Sequence, residues 1–319
     1  MTEAPTISVV VPCHDEEDNI TLLIERLTAS VEPLDPGFEV ILVDDGSHDG
    51  TLGVMKREHA RDPRIKFVAL SRNFGHEAAS TAGLSHARGA AVVLIDADLQ
   101  DPPEVIPELV SKWREGYDLV FATRGTRAGE GRLKRLSSAL FYRLMRWLVH
   151  FDFPADTGDF RLMSRSVVDA FLQMPERNRF VRGMVAWTGF RSTAVEYSRD
   201  ARHAGETKYH LGKLILLTLD AITGFSAFPL RLVSMMGFAV TLFSAGATIW
   251  VAYARLFLDL PIPGYAFLVT GMFFLGGVQI LMLGAIGEYV GRIYTETQRR
   301  PLFLVRELGG VEPSDKRSD

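Results

Sequence analysis

The sequence predicts an α/β domain with a mostly parallel sheet, followed by a hairpin of two transmembrane helices. Two observations lead to this prediction. Short β-branched runs alternate with helix-period segments over residues 1–205, and two long uncharged runs follow them. The 319 residues are enough for one large domain with an appendage.

Five short runs rich in Val, Ile and Leu have the length expected of buried strands. Both faces of a parallel sheet are covered by helices, so its strands are apolar almost throughout. The five predicted strands, in chain order, are Ile7–Val11, Glu39–Val43, Ile65–Leu70, Ala91–Ile95 and Leu119–Thr123.

Four segments with helical periodicity lie between these strands. Asp49 precedes the second of them as a capping residue, and the pair Pro102 and Pro103 fits the first turn of the fourth. The four predicted helices are Ile20–Leu27, Thr51–Ala60, His76–Ala87 and Pro103–Glu115.

The C-terminal third contains two runs without charge, Leu232–Ala254 and Leu260–Gly287. As a helix the first would extend about 35 Å, enough to cross a bilayer core of about 30 Å. Basic residues are concentrated before the first run and after the second, and few lie in the loop between them. The positive-inside rule therefore places both termini in the cytoplasm. The protein is then a multi-pass protein of the inner (plasma) membrane. A buried helical hairpin is the alternative. The predicted parts are amphipathic juxtamembrane helices at 206–231, spans at about 232–257 and 265–289, and a cytoplasmic tail at 290–319 with a disordered end.

Composition excludes several classes of protein. Lys and Arg total 35 against 39 Asp and Glu, a net charge of −4, which gives no reason to expect nucleic-acid binding. The single cysteine, Cys13, excludes an intrachain disulfide and a Cys-rich zinc site. Neither a dinucleotide-binding glycine fingerprint nor a P-loop is present, which argues against enzymes that hold phosphates in a glycine-rich loop.

Carboxylates stand at the carboxyl ends of three predicted strands. Asp15 follows the first strand, Asp44 and Asp45 the second, and Asp96 and Asp98 the fourth. Ligands of such sheets bind beyond these ends, so the carboxylates should face one crevice. Clustered carboxylates repel one another, and Mg²⁺ or Mn²⁺, which prefer oxygen ligands, would neutralise them. Turn formation and helix capping are the alternative roles of these residues.

Four motifs in order resemble the inverting family-two glycosyltransferases of the GT-A (nucleotide-diphospho-sugar transferase) fold. They are VVPCHDEEDNI, LVDDGSHDGT, SRNFGHEAASTAGL and LIDADLQDPPEVIP. More closely, the chain is similar to the polyprenyl-phosphate glycosyltransferases, which include dolichol-phosphate mannose synthase. Three further segments contribute to this resemblance: GDFRLMSRSVVDAFLQMPERNRF, FSAFPLRL and GEYVGRIYTETQRRP. Within these glycosyltransferases it most resembles the bacterial bactoprenol (undecaprenyl-phosphate) glucosyltransferases, over about residues 6–305. Asp15 departs from the family pattern, which has Asn there, and the resemblance also implies a homo-oligomer, a tetramer.

The resemblance implies roles for individual residues. Asp159 would be the catalytic base or an orienting group, with Arg161 beside it. The metal, Mg²⁺ or Mn²⁺, would be held against the donor diphosphate by Asp96, Asp98 and Gln100. The nucleotide sugar would be bound by Pro12, Asp15, Asp44, Asp45, Arg72, Asp96, Arg202 and Lys208.

The segment 124–146 is rich in Arg and Lys and contains Glu130 as its only acid. Arginine can hold a phosphate through two parallel hydrogen bonds, which suits a lipid-phosphate head group. The same segment could instead adhere to anionic lipids or form an ordinary solvated helix surface. The residues predicted to bind the acceptor phosphate are Arg124, Arg127, Lys134 and Arg135.

Together these features predict inverting transfer of a hexose, glucose from UDP-glucose, to undecaprenyl (polyprenyl) phosphate on the cytoplasmic leaflet. The product would be a β-linked lipid-phosphate sugar for O-antigen or cell-envelope glycosylation. A phosphate monoester has its second pKa near 6, so the nucleophile is already ionised at pH 7 and needs little general-base assistance. The alternatives are a GDP-mannose or UDP-aminosugar donor, a non-catalytic membrane-anchored nucleotide-sugar-binding protein, and a phosphotransferase with an aspartyl nucleophile.

Overall fold

The computed structural model describes residues 5–124, 157–177, 179–197, 228–257 and 264–311. The chain divides into two compact units. The first comprises residues 1–146, 151–208 and 300–319, and the second comprises 147–150 and 209–299.

The first unit is built on an eight-stranded sheet formed by the described residues, in the order β7-β5-β6-β4-β1-β2-β3-β8. β1 is parallel to β2 and β4, β2 to β3, and β5 to β7. β6 is antiparallel to β4 and β5, and β8 is antiparallel to β3. The strands are β1 Ile7–Cys13, β2 Glu39–Asp44, β3 Ile65–Leu70, β4 Ala91–Leu94, β5 Leu119–Arg124, β6 Thr157–Ser164, β7 Ser192–Tyr197 and β8 Val305–Gly309.

Helices pack against this sheet through apolar residues at helical spacing. In the first helix Ile20, Leu23 and Leu27 are fully buried and belong to the same apolar core as the strands. The helices of this unit are α1 Ile20–Val31, α2 Thr51–Arg61, α3 His76–His86, α4 Ile106–Arg114, α5 Arg165–Leu172 and α6 Val181–Trp187, with a 3₁₀ turn at Pro103–Val105 before α4.

The predicted fold class, an α/β domain with a mostly parallel sheet, is confirmed. The five predicted strands are all present, with ends that differ from the predicted bounds by at most two residues. β6, β7 and β8 were not predicted. β8 also corrects the description of residues 290–319 as a tail, because Val305–Gly309 pairs with β3 at the sheet edge.

The second unit contains two long helices, α7 Phe228–Phe257 and α8 Tyr265–Thr297. Large apolar side chains are exposed along both, including Phe243 and Phe273 at 79% each. Among the described residues, the stretch Gly271–Thr297 is long and apolar enough to cross a membrane, whereas the apolar stretch Val233–Ala247 is shorter. The first predicted span therefore stays a prediction, and the predicted juxtamembrane residues 206–227 lie outside the described residues.

Candidate active site

A cavity of about 290 Å³ lies at the carboxyl ends of β1, β2 and β4. The strands are parallel neighbours, so the loops that follow them meet at one edge of the sheet. The residues that line the cavity are Pro12, Cys13, His14, Glu16, Asp45, Asn73, Gly75, His76, Ala79, Asp96, Ala97 and Asp98. The structure thus brings Asp45, Asp96 and Asp98 together in one cavity.

Asp45 fastens the loop before α3 to the end of β2. Its Oδ1 accepts a hydrogen bond from the Phe74 amide at 2.7 Å, and its Oδ2 accepts one from the Gly75 amide at 2.9 Å. Gly75 has a φ of 99°, in the left-handed region that favours glycine. Asp45 therefore shapes the cavity wall through backbone contacts, in addition to lining it.

Asp44 is fully buried and is not one of the residues that line the cavity. Its Oδ1 accepts a hydrogen bond from the Ser47 amide at 3.0 Å, which closes the turn after β2. Its Oδ2 lies 3.6 Å from Nη2 of Arg306, on β8. Of the two aspartates, which the sequence analysis treats alike, Asp45 lines the cavity and Asp44 does not.

Asp15 holds the loop after β1 against the loop after β2. Its amide donates to Ser47 Oγ at 3.1 Å, and its Oδ1 accepts from the His48 amide at 2.7 Å. His14, Asp15 and His48 are exposed and offer metal-ligand atoms within 4.8 Å of one another. Asp15 itself does not line the cavity, whereas His14 does.

Asp96 and Asp98 fit a divalent cation. Oδ1 of Asp96 is buried and has no hydrogen-bond partner among the described residues, and Oδ1 of Asp98 accepts from the Gln100 amide at 3.1 Å. Burial, together with the charge of Asp159, raises the pKa of Asp96 to about 7 against the opposing effect of His76. A bound cation could coordinate this oxygen, to which no hydrogen bond is made.

Gln100, the third predicted metal ligand, is not brought to the cavity. Its side chain is buried, and the residue does not line the cavity. Nε2 of Gln100 has no hydrogen-bond partner among the described residues. Of the three predicted metal ligands, Asp96 and Asp98 therefore line the cavity and Gln100 does not.

Asp159, on β6, is the centre of a buried charge cluster. Arg182, on α6, donates to it through two parallel hydrogen bonds, Nε to Oδ1 at 2.8 Å and Nη2 to Oδ2 at 2.6 Å. Arg161, which is fully buried, donates from Nη2 to Oδ1 at 2.9 Å. Nε2 of His76, at the start of α3, lies 3.6 Å from Asp159 Oδ2 and 3.7 Å from Asp96 Oδ1.

These contacts set the protonation states in the cluster. Although burial opposes it, the hydrogen bonds from Arg182 and His76 hold the pKa of Asp159 well below its usual value. Burial lowers the pKa of His76, but Asp159 and Asp96 more than offset this and raise it to about 9. Burial also raises the pKa of Glu77, the next residue on α3. At neutral pH Asp159 is therefore a carboxylate and His76 an imidazolium.

His76 and Arg182 were not predicted from the sequence. His76 follows directly on the SRNFG segment, so its position in the cavity wall could have been inferred from that motif. Arg182 lies in a stretch with no recognisable signal, and it contacts Asp159 from a helix although the two residues are 23 positions apart in the chain.

Of the remaining predicted residues that the structure describes, Pro12 lines the cavity and Arg72 does not. The guanidinium of Arg72 is exposed, stacks on the Phe74 ring at 4.1 Å and donates to the Asn73 carbonyl at 2.7 Å. Arg124 is the last residue of β5, and its side chain lies outside the described part of the chain. Three predicted acceptor-phosphate residues and two predicted donor-site residues lie outside the described residues as well; the former are Arg127, Lys134 and Arg135, and the latter are Arg202 and Lys208.

Comparison with known proteins identifies the family to which these residues belong. The profile described as "Glycosyl transferase family 2" matches residues 8–172. An uncharacterized glycosyltransferase of Synechocystis sp. is 46% identical over 96% of this chain and 96% of its own length. A prophage bactoprenol glucosyl transferase homolog of Escherichia coli is 40% identical over 95% of this chain and 99% of its own length. The crystal structure of Staphylococcus aureus TarS 1–349 in complex with UDP-GlcNAc is 19% identical, covers 68% of this chain and 65% of that one, and has a TM-score of 0.48.

Proposed function

This chain belongs to glycosyl transferase family 2 and is a glycosyltransferase; on that premise we propose that it transfers glucose from UDP-glucose to undecaprenyl phosphate with inversion at the anomeric carbon. The observation that carries the proposal is the cavity at the carboxyl ends of β1, β2 and β4, with Asp96 and Asp98 among its lining residues. The similarity to a bactoprenol glucosyl transferase homolog over nearly the full length supports the lipid-phosphate acceptor and the glucose donor.

The donor diphosphate carries negative charge into a cavity lined by carboxylates, so the site needs cations. Asp96 and Asp98 would hold Mg²⁺ or Mn²⁺, and the Asp96 oxygen without a hydrogen bond fits this use. When bound, the ion stabilises the negative charge that develops on the departing diphosphate. His76 lines the same cavity and, as an imidazolium, adds a positive charge of the protein's own.

Asp159 acts in this mechanism by orienting its neighbours. A phosphate acceptor is ionised at neutral pH, so the attacking oxygen has no proton to lose. A general base works best with a pKa near the working pH, whereas the pKa of Asp159 lies well below it. With both of its oxygens bound to Arg182, Asp159 fixes that guanidinium and His76 beside the cavity. Of the two roles that the sequence left open, the geometry favours the orienting one.

The second unit supplies the membrane anchor of the proposed enzyme. Its helices α7 and α8 expose large apolar side chains, and the stretch Gly271–Thr297 has the length and composition of a membrane span. We place both termini on the cytoplasmic side, where a soluble nucleotide sugar and a lipid phosphate can meet. The β-linked product would then serve O-antigen or cell-envelope glycosylation.

A donor screen with a fixed acceptor tests the proposal. The full chain, purified in detergent, is mixed with undecaprenyl phosphate, Mn²⁺ or Mg²⁺, and one radiolabelled donor at a time: UDP-glucose, a UDP-aminosugar or GDP-mannose. We expect labelled lipid from UDP-glucose, and formation about 100-fold slower or more from the same reaction with Asp98→Asn. Label from another donor alone would replace glucose by that sugar, and no labelled lipid with any donor would refute the transfer itself.

A further inference from the structure

The strand β8 is firmly attached to the catalytic unit, although it follows both long helices in the chain. It pairs with β3 from Phe67 opposite Gly309 to Leu70 opposite Val305. Just before it, the Leu304 carbonyl accepts a hydrogen bond from the Ser71 amide at 2.8 Å. A side chain at Gly309 would collide with the Phe67 ring, so the two strands are in close contact. Residues 304–309 therefore belong to the architecture of the donor-binding unit.

Arg306 occupies an irregular position in this strand. Ala69 pairs with Glu307, whereas the next residue, Leu70, pairs with Val305. One step along β3 thus corresponds to two along β8, and Arg306 is the additional residue of a β-bulge. Bulges redirect a side chain and often occur beside active sites. Here Nη2 of Arg306 lies 3.6 Å from Oδ2 of Asp44, beyond the neighbouring strand.

Asp44 needs this cation. Its carboxylate is fully buried, and its Oδ2 has no hydrogen-bond partner among the described residues. A buried charge is stable only when it is paired. The side chain of Arg306 is 50% exposed, so it neutralises Asp44 from the surface of the unit.

Asp44 in turn stands at the base of two loops that border the cavity. Its Oδ1 closes the turn to Ser47, and the next residue, Asp45, holds the amides of Phe74 and Gly75. The two loops touch through their backbones, because a Cβ at Gly46 would lie only 2.8 Å from Cα of Arg72. A shift of Asp44 would therefore move both loops.

We propose that Arg306 is a positioning residue of the donor site: it neutralises and holds Asp44, and so keeps the two loops in the form that binds the nucleotide. The inference rests on the proposed function, because it takes the cavity to be a nucleotide-sugar site. It assigns the C-terminal strand, which follows the membrane helices, a part in donor binding.

Calorimetric titration of the full chain in detergent with UDP and Mn²⁺, together with initial rates against UDP-glucose, tests this role. We expect Arg306→Gln to raise the Kd for UDP and the KM for the donor about tenfold, equivalent to about 1.4 kcal/mol, with kcat unchanged. Arg306→Lys keeps the charge without the planar guanidinium and should give an intermediate Kd. Should Arg306→Gln fail to fold, the lysine variant supplies the measurement.

Lys56→Gln is the matched control. Lys56 pairs with Glu307 of the same strand at 2.7 Å, both side chains being about as exposed as that of Arg306. Its loss removes an ion pair from β8 without touching Asp44, so UDP binding should not change. The inference is overturned if Arg306→Gln binds UDP with the wild-type Kd. It is also overturned if Lys56→Gln raises the Kd for UDP as much as Arg306→Gln does.

A double-mutant cycle with Asp44→Asn shows whether Arg306 acts through Asp44. If it does, Arg306→Gln should weaken UDP binding much less in the Asp44→Asn background than in the wild type. Additive effects would overturn the positioning role. Wild-type protein that binds no nucleotide at all would refute the proposed function instead, so the two failures are distinguishable.

Discussion

The substitution Asp159→Asn tests the buried charge cluster most directly. It removes one negative charge that Arg182 and Arg161 contact at 2.6–2.9 Å and that His76 approaches to 3.6 Å. Asn is nearly the same size and keeps one acceptor oxygen, so the change acts on charge rather than on packing. We expect a large loss of stability.

The magnitude follows from the burial of each partner. Arg161 is fully buried, and removing one partner of a buried pair costs about 3–5 kcal/mol because the other charge is left uncompensated. The side chain of Arg182 is 36% exposed, so solvent screening limits its share to about 1 kcal/mol or less. Since Asn retains an acceptor, we take the lower end, about 3 kcal/mol. For a unit of this size that lowers the apparent Tm by about 6–12 °C.

Thermal unfolding of the full chain in detergent, followed by tryptophan fluorescence, measures the change. Asp62→Asn is the control: Arg64 donates to Asp62 from Nε to Oδ1 at 3.1 Å and from Nη2 to Oδ2 at 2.8 Å, but both side chains are 29% exposed. This exposed pair should contribute about 1 kcal/mol or less. An Asp159→Asn variant that melts no lower than Asp62→Asn would refute the reasoning.

The pH dependence supplies a second check. The pKa of Asp159 is held below its unfolded value, so its stabilising effect is present above about pH 4, the unfolded value, and is lost as the pH falls towards the folded pKa. The difference in Tm between wild type and Asp159→Asn should therefore be full at pH 7 and shrink below about pH 4. A difference that stays constant into the acid range would contradict the assigned charge state.

Two further predictions concern the cavity. His76→Gln should lower kcat/KM about 10- to 100-fold, because it removes a cation that lines the cavity. His76→Lys should recover part of the rate. Equal rates for the His76→Gln variant and the wild type would contradict the role of His76. Chelation with EDTA should abolish sugar transfer, and added Mn²⁺ or Mg²⁺ should restore it. Asp98→Asn should reduce kcat by about 100-fold or more, measured as labelled lipid formed. Full activity in EDTA would exclude a catalytic role of the metal.

The sequence predicted those parts of the site that lie close to a strand end. The runs that became β1 to β5 differ from their predicted bounds by at most two residues, because burial on both faces leaves a continuous apolar pattern. Alternation with helices then implied parallel strands, whose carboxyl ends share one edge. The convergence of Asp45, Asp96 and Asp98 on one cavity followed from this topology.

Only the tertiary structure decided which cations meet these carboxylates. Arg182 reaches Asp159 from another helix, and Arg306 reaches Asp44 from a strand more than 250 residues further along the chain. The partnership of Lys56 with Glu307 is of the same kind, with 251 positions between the two residues. Local patterns record which face of an element is buried, whereas an ion pair depends on how distant elements pack and, for Arg306, on one extra residue in an edge strand. The periodicity of a sequence contains no information on such contacts, and this is why these carboxylates could be predicted whereas Arg182 and Arg306 could not.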